Sequence, residues 1–197
     1  MLGVFNNMEK FMKKLLISLL MVSSTAAFAG KGDSVSFEVE HEGVTTAGVQ
    51  DVDSFSIIPA TTLDNGLKLD LKLQGSQSNG NGTTGFAVEP RASYAWDLEN
   101  GFAVGIRGSI GEKFASVGNY GFYTIEPFAT YAINNKWTAK TSLKYKDAFG
   151  ERDIQTETFY LGASYAVDKK NSLYAKAYHR FDSLESNGVE AGYTIGF

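Results

Sequence analysis

The sequence lacks the residue types on which disulfides and transition-metal sites depend. It has no cysteine and only two histidines. An exported form would therefore have to be stable without disulfides, and there is no cluster of histidine and cysteine ligands for a metal. The glycine-rich segment NGNGTTG, residues 79–85, lacks the lysine and the following helix of a phosphate-binding loop. We expect no cofactor and no metal.

Positive charge and long apolar runs are also scarce. The net charge is −4 at pH 7, which is not the balance of a nucleic-acid-binding protein. The apolar stretch Leu15–Val22 is far shorter than the roughly 20 residues of a membrane-spanning helix. Two lysines precede it and an Ala-Phe-Ala segment follows, an order typical of secretory signals. Residues 1–29 are predicted to be a cleaved signal peptide, with Met12 as an alternative start, and residues 30–197 to be one domain.

Alternation of apolar and polar residues dominates the chain after residue 30. In LKLDLKLQ, leucines from Leu67 to Leu73 alternate with Lys68, Asp70 and Lys72. The segments SVSFEVEHE and KWTAKTSLKYK show the same period of two, which indicates strands with one apolar and one polar face. No segment shows a convincing helical period.

Two kinds of connection separate these strands. The short polar turns LDNG, LENG, INNK and DKKN alternate with longer links rich in glycine, serine and asparagine. We count ten strands, four tight turns and five long loops. Closure removes the unpaired edges of so large a sheet. The sequence therefore predicts an all-β fold, a closed antiparallel up-and-down barrel of about ten strands.

Three near-repeats place a tyrosine just before a tight turn. They are VEPRASYAWDLENG, IEPFATYAINNK and YLGASYAVDKKN. Rings at matching heights on the outer face would form an aromatic girdle at a membrane interface. The predicted girdle consists of Tyr94, Tyr131, Tyr165, Trp96, Trp137, Tyr193 and Phe197. Pro90 and Pro127 share this face, and because proline cannot donate a ladder hydrogen bond, a bulge or a locally missing bond is expected at each.

Alternation alone leaves open which face points outward. A lipocalin-like barrel would enclose the apolar face, whereas an outer-membrane barrel turns it toward lipid. The chain ends on VEAGYTIGF, in which Tyr193, Ile195 and Phe197 alternate up to the last residue. This ending resembles the terminal assembly signal of bacterial outer-membrane barrels. The resemblance implies the outer membrane of a Gram-negative bacterium, with lipid and the barrel-assembly machinery as partners and the tight turns in the periplasm.

Charged residues concentrate on the face that would then line the lumen. The basic residues expected there are Arg91, Arg107, Lys140, Lys144, Lys176 and Arg180. The acidic wall is expected to contain Glu38, Glu40, Glu89, Glu126 and Glu190. Two interpretations remain open at this point. The basic wall guides small anionic solutes by passive diffusion through a narrow channel. Alternatively, opposite charges pair across the lumen and fill it, and the protein is a non-conducting structural or surface-interaction barrel.

The near-repeats Pro-x-Ala-Ser/Thr-Tyr-Ala and the lysines and arginines of the inner face resemble a known family. They are similar to the oligogalacturonate-specific porins and related monomeric acidic-sugar channels. The resemblance implies a monomeric porin, small anionic oligosaccharides as solutes, and the six basic residues above as the track for their carboxylates. Those porins have twelve strands, two more than we count here.

An enzymatic reading has weaker support. Ten-stranded outer-membrane proteases use aspartate and histidine at the outer rim, and His179, Asp182 and Ser183 lie near the outer end of the predicted ninth strand. The loops here are much shorter than those proteases carry, so we expect no enzymatic activity.

Overall fold

Ten strands make up the described part of the chain. The computed structural model describes residues 32–44, 50–79, 83–116, 118–150, 154–181 and 185–197, so the predicted signal peptide lies outside the described residues. The strands are β1 Ser34–Val44, β2 Val52–Thr62, β3 Lys68–Ser78, β4 Thr84–Asp97, β5 Phe102–Ala115, β6 Tyr120–Ala132, β7 Trp137–Ala148, β8 Thr156–Ala166, β9 Asn171–Phe181 and β10 Ser186–Gly196. Among the described residues, no helix is long and apolar enough to cross a membrane.

The strands close into an antiparallel barrel. Each strand pairs with its neighbours in sequence, and β1 pairs with β10 from Ser34↔Gly196 to Val44↔Ser186. The predicted closed barrel of ten strands is therefore confirmed. Four tight turns connect its strands at one end, which we call the turn end, and five connections lie at the opposite loop end. Of the five long loops expected there, only the β1–β2 and β7–β8 connections, with seven residues each, are longer than the tight turns; the other three have four or five residues, because the strands extend into the expected links.

Short polar side chains shape the tight turns. Asn100 and Gly101 adopt φ angles of 61° and 78° between β4 and β5, a region that asparagine and glycine enter at low cost. Asn134 accepts hydrogen bonds from the amides of Lys136 and Trp137 at 2.9 and 3.0 Å. Such side-chain bonds to the backbone two and three residues on explain why these turns can be so short.

The prolines interrupt pairing without shifting the register. In the β6–β7 ladder, Ile125 pairs with Tyr145 and Phe128 with Ser142, so the register is the same on both sides of Pro127. The β4–β5 ladder skips Pro90 in the same way. Pairing continues on the other side of each proline, because the missing N–H faces only one neighbouring strand. Of the two expected outcomes, the locally missing pair is found and the bulge is not.

Apolar side chains cover the outside of the barrel. Among the most exposed are Ile110 at 61%, Leu161 and Val189 at 59%, and Val39 at 56%. They come from widely separated strands, so the apolar surface surrounds the barrel rather than forming one patch. Water does not tolerate so large an apolar surface, whereas hydrocarbon does. The lipocalin-like alternative is therefore excluded, and the polar face lines the lumen.

Aromatic rings gather on this outer face beside the tight turns. The contacting pairs are Tyr94–Trp96, with ring centroids 5.0 Å apart, Phe102–Tyr131 at 4.5 Å and Trp137–Tyr165 at 4.9 Å. A second group lies toward the loop end, where Tyr123 contacts Tyr145 at 6.1 Å. Rings at both ends of an apolar band are typical of barrels that span a membrane.

Candidate functional site

Strand register fixes which side chains point into the lumen. Arg107 is paired with Glu126, and Glu190 with Lys176 and Glu40. Because side chains alternate along each strand, every charged residue expected in the lumen lies on that face. The face also carries Lys68, Lys72, Lys113 and Lys146, which were predicted in neither wall. The alternation visible in LKLDLKLQ could have identified Lys72.

Five ion pairs cross the lumen face. They are Lys72–Glu38 at 2.6 Å, Arg107–Glu126 at 3.0 Å, and Arg91–Asp70, Lys176–Glu190 and Arg180–Glu42 in direct contact. Their carboxylates are largely buried; the Asp70 side chain is only 1% exposed. Buried charges are tolerated when they are paired in this way. The interpretation that opposite charges pair across the lumen thus describes half of the basic residues on this face.

The basic residues of β7 are different. Within the described residues, no carboxylate lies within ion-pair distance of Lys140, Lys144 or Lys146. Each instead lies over an aromatic ring of a neighbouring strand: Lys140 is 4.7 Å from the centroid of Phe128, Lys144 is 5.2 Å from Tyr160 and Lys146 is 4.0 Å from Phe122. These cation–π contacts order the lysines without placing a carboxylate directly against any of them.

The acidic residues of β1 are held by tyrosines. Tyr174 donates to Glu38 at 2.8 Å, and Tyr178 donates to Glu40 at 2.7 Å. The ring of Tyr178 also contacts that of Tyr160 at 5.2 Å, and both side chains are buried. These tyrosines form a packed layer across part of the mid-barrel. The charges from which the lumen face was predicted do not reveal these tyrosines.

Inward-facing glycines lie opposite these rings. Gly188 pairs with Tyr178, Gly192 with Tyr174 and Gly105 with Phe128. A Cβ at any of the three glycines would lie 2.2 or 2.3 Å from a ring atom of its partner. The absence of a side chain lets each ring lie flat against the barrel wall, a close approach that only glycine permits.

The structure brings together only part of each predicted wall. Glu38, Glu40 and Glu190 lie on the adjacent strands β1 and β10, whereas Glu89 and Glu126 lie on β4 and β6 among basic residues. Glu89 accepts a hydrogen bond from Ser109 at 2.6 Å. The expected basic track is divided as well. Lys176 and Arg180 pair with the acids of β10 and β1, and Arg91 and Arg107 pair with Asp70 and Glu126. Of the six residues of the track, only Lys140 and Lys144 on β7 have no ion-pair partner among the described residues.

A cavity of about 300 Å³ occupies the turn end of the lumen. Its charged lining consists of Lys68, Arg91, Arg107, Lys140, Lys176, Glu38 and Asp70. The remaining lining is mostly hydroxyl-bearing and small side chains, including Ser36, Thr138 and Thr194. Cations therefore outnumber carboxylates around this space.

The other residues singled out by the sequence do not gather into a site. His179 faces outward, where its Nδ1 lies 2.9 Å from the Asn187 side-chain oxygen, and Asp182 and Ser183 lie outside the described residues. No three acidic or histidine side chains of the described ranges are placed to hold a metal ion. Tyr193 and Ile195 alternate along β10 on its outer face, and Phe197 follows the strand end.

Comparison with known proteins identifies the fold but no closer relative. No protein-family model matches the chain, and no curated protein sequence does either. The β-domain of the Bordetella autotransporter BrkA is similar with a TM-score of 0.58 at 13% identity, over 84% of this chain and 99% of that one. An outer-membrane channel from Pseudomonas putida F1 is similar with a TM-score of 0.54 at 12% identity, over 86% and 97% of the two chains.

The KdgM porin is also similar, with a TM-score of 0.47 at 15% identity over 82% of this chain and 99% of that one. This likeness is too low to bear on the solute, and at such identities the other two bear on the fold alone. The expected resemblance to bacterial outer-membrane barrels is confirmed at that level. The chain has the fold of a bacterial outer-membrane β-barrel.

Proposed function

We propose that the chain is a small monomeric channel of the Gram-negative outer membrane that passes small anions by diffusion. The observation that carries the proposal is the row of lysines on β7, Lys140, Lys144 and Lys146, none of which has a carboxylate of the described residues within ion-pair distance. The row runs from the cavity at the turn end toward the loop end, so it would attract an anion along much of the lumen.

The sign of the lumen contrasts with that of the whole protein. The chain carries a net charge of −4, yet basic side chains outnumber acidic ones on the lumen face. The basic side chains there are Lys68, Lys72, Arg91, Arg107, Lys113, Lys140, Lys144, Lys146, Lys176 and Arg180. The acidic ones are Glu38, Glu40, Glu42, Asp70, Glu89, Asp97, Glu126 and Glu190. Positive charge collected inside a narrow barrel favours anions over cations.

The route to the membrane is part of the same proposal. The predicted signal peptide at residues 1–29 would export the chain, and the barrel-assembly machinery would recognise the last strand with Tyr193, Ile195 and Phe197. Lipid would then surround the apolar outer face, with the turn end in the periplasm. Small anionic oligosaccharides belong to the class of solute that such a lumen would attract. We propose no catalytic activity.

Conductance in planar lipid bilayers tests the channel. Purified protein should give steady single-channel steps, and the reversal potential in a KCl gradient should show a preference for chloride. Replacing Lys140, Lys144 and Lys146 together by glutamate should shift that preference toward potassium. Lys169→Glu in the exposed turn between β8 and β9 is the matched control, because it changes the charge outside the lumen and should leave selectivity unchanged.

A non-conducting barrel with a charge-filled lumen is the second candidate. The five ion pairs and the buried tyrosine layer favour it, because both narrow the mid-barrel. The heat-dependent gel shift identifies protein that has folded into a barrel. If such protein gives no conductance in the bilayer, the second candidate is supported and the channel is refuted. If the triple glutamate variant conducts with the same ion selectivity as wild type, the protein is a channel but the lysine row does not determine its selectivity.

A further inference from the structure

Three basic side chains at the turn-end cavity each have a donor group without an acceptor among the described residues. Lys68 and Lys140 line it, and no carboxylate of the described residues lies within ion-pair distance of either. Arg107 also lines it and donates to Glu126 through Nη1 at 3.0 Å, but its buried Nε has no hydrogen-bond partner in the described part of the chain. A buried donor without an acceptor, such as Arg107 Nε, is rare in native structures.

These donors are distributed around one half of the barrel. Lys68, Arg107 and Lys140 lie on β3, β5 and β7, on alternate strands. Ser93 links the first two by register, since it is the cross-strand partner of both Lys68 and Arg107. Alternate strands are roughly 10 Å apart along the wall, so flexible lysine side chains on either side of an arginine converge on the space between them.

The remaining polar groups of the cavity are already engaged or neutral. Arg91 pairs with Asp70, Lys176 pairs with Glu190, and Glu38 accepts from both Lys72 and Tyr174. The two carboxylates in the lining are thus compensated, and they do not balance the three free donors. The space has the donors and the charge to hold an oxyanion but lacks an acidic side chain to occupy it.

The size of the cavity limits the ligand. A volume of about 300 Å³ is at the lower end of the range for small-molecule pockets, so it suits a compact ion rather than an extended chain. An arginine with a free N–H and two lysines is a donor set that matches a compact oxyanion with more than one negative charge.

We propose that the turn-end cavity is a binding site for a small dianionic oxyanion of the size of phosphate, held by Lys68, Arg107 and Lys140. The site goes beyond the proposed channel, because equilibrium binding at the turn end does not require that the barrel conduct. With the turn end in the periplasm, the ligand would enter from that side.

Titration calorimetry with inorganic phosphate tests the site directly. Wild-type protein folded in detergent micelles, in about 0.15 M NaCl to screen diffuse charge effects, should bind phosphate with a stoichiometry of one. Loss of one charge-assisted hydrogen bond in Lys140→Gln should weaken binding by about 10-fold to 100-fold. Lys68→Gln should act in the same direction, which keeps the test valid if one variant fails to fold.

Lys113→Gln is the matched control. It removes the same charge from the lumen, but Lys113 lies on β5, outside the row of β7 lysines, and does not line the cavity, so the affinity of this variant for phosphate should stay within about twofold of wild type. Equal weakening by Lys113→Gln and Lys140→Gln would show a general attraction by the lumen charge and overturn the site. Absence of wild-type binding at millimolar phosphate would also overturn it.

The outcomes separate this site from the channel. If the protein does not conduct in bilayers but binds phosphate with the expected dependence on Lys140, the binding site is supported and the channel is refuted. If the protein conducts anions but does not bind phosphate, the channel is supported and the binding site is refuted.

Discussion

Replacing Gly192 by alanine tests whether a lumen tyrosine lies flat against the barrel wall. A Cβ at this position would lie 2.3 Å from Cζ and 2.4 Å from the hydroxyl oxygen of Tyr174, so the ring must move away from the wall. The cavity that Tyr174 helps to line lies on the inner side of the ring.

Two effects set the magnitude. Overpacking of a close-packed site costs about 1–3 kcal/mol. Moving the ring also breaks the 2.8 Å hydrogen bond that Tyr174 donates to the buried Glu38, and bonds to charged groups contribute about 1.5–3 kcal/mol. Lys72 remains paired with Glu38 at 2.6 Å, which keeps the carboxylate from being fully isolated. We expect Gly192→Ala to lower the free energy of unfolding by about 3 kcal/mol.

Urea unfolding of the barrel in lipid vesicles, followed by the heat-dependent gel shift, measures this change. Gly108→Ala is the control, because Gly108 lies on the outer face of β5 and a Cβ there would meet no atom within 4 Å in the described structure. The control should change the free energy of unfolding by less than about 0.5 kcal/mol. If both variants unfold at the same urea concentration, the ring does not lie where the structure places it and the reasoning fails.

Two further predictions concern the ion pairs and the membrane belt. Arg91→Gln leaves the buried Asp70 without its partner and should lower the free energy of unfolding by about 3–5 kcal/mol. Adding Asp70→Asn should recover most of that loss. Equal urea midpoints for the single and the double variant would contradict this prediction. Trp96 and Trp137 are exposed on the outer face beside the tight turns, so lipids brominated near the headgroup should quench their fluorescence more than lipids brominated at the chain ends. The opposite order of quenching would place the belt inside the hydrocarbon.

The strands and their faces could be predicted because each side chain meets one of two very different environments. An outward residue such as Ile110 contacts hydrocarbon, while an inward residue such as Arg107 belongs to the lumen, so polarity alone reveals orientation. Asparagine and glycine revealed the tight turns for an equally local reason. The closed ten-strand barrel followed from these two signals.

The partners within the lumen could not be predicted because they depend on register. Arg91–Asp70 joins direct cross-strand neighbours, whereas Arg180–Glu42 skips β10, over which the long arginine reaches. Ser186 on β10 also donates to Glu42, at 2.6 Å. Alternation is unchanged by a shift of two residues, so neither these pairs nor the glycine–tyrosine contacts could be predicted from it. The predicted acidic wall also included Glu89 and Glu126, which lie on β4 and β6 among basic residues.

The lysines without carboxylate partners bear on whether the lumen is dry. A charge buried in a dry core without a partner costs several kcal/mol, and aromatic rings such as that beneath Lys146 offset only about 1–2 kcal/mol of this. Several such lysines in one dry core would cancel most of the stability of a domain. Water and mobile anions remove that cost. Charged lysines without carboxylate partners therefore favour a hydrated lumen over a dry one, which is the condition that the proposed channel needs.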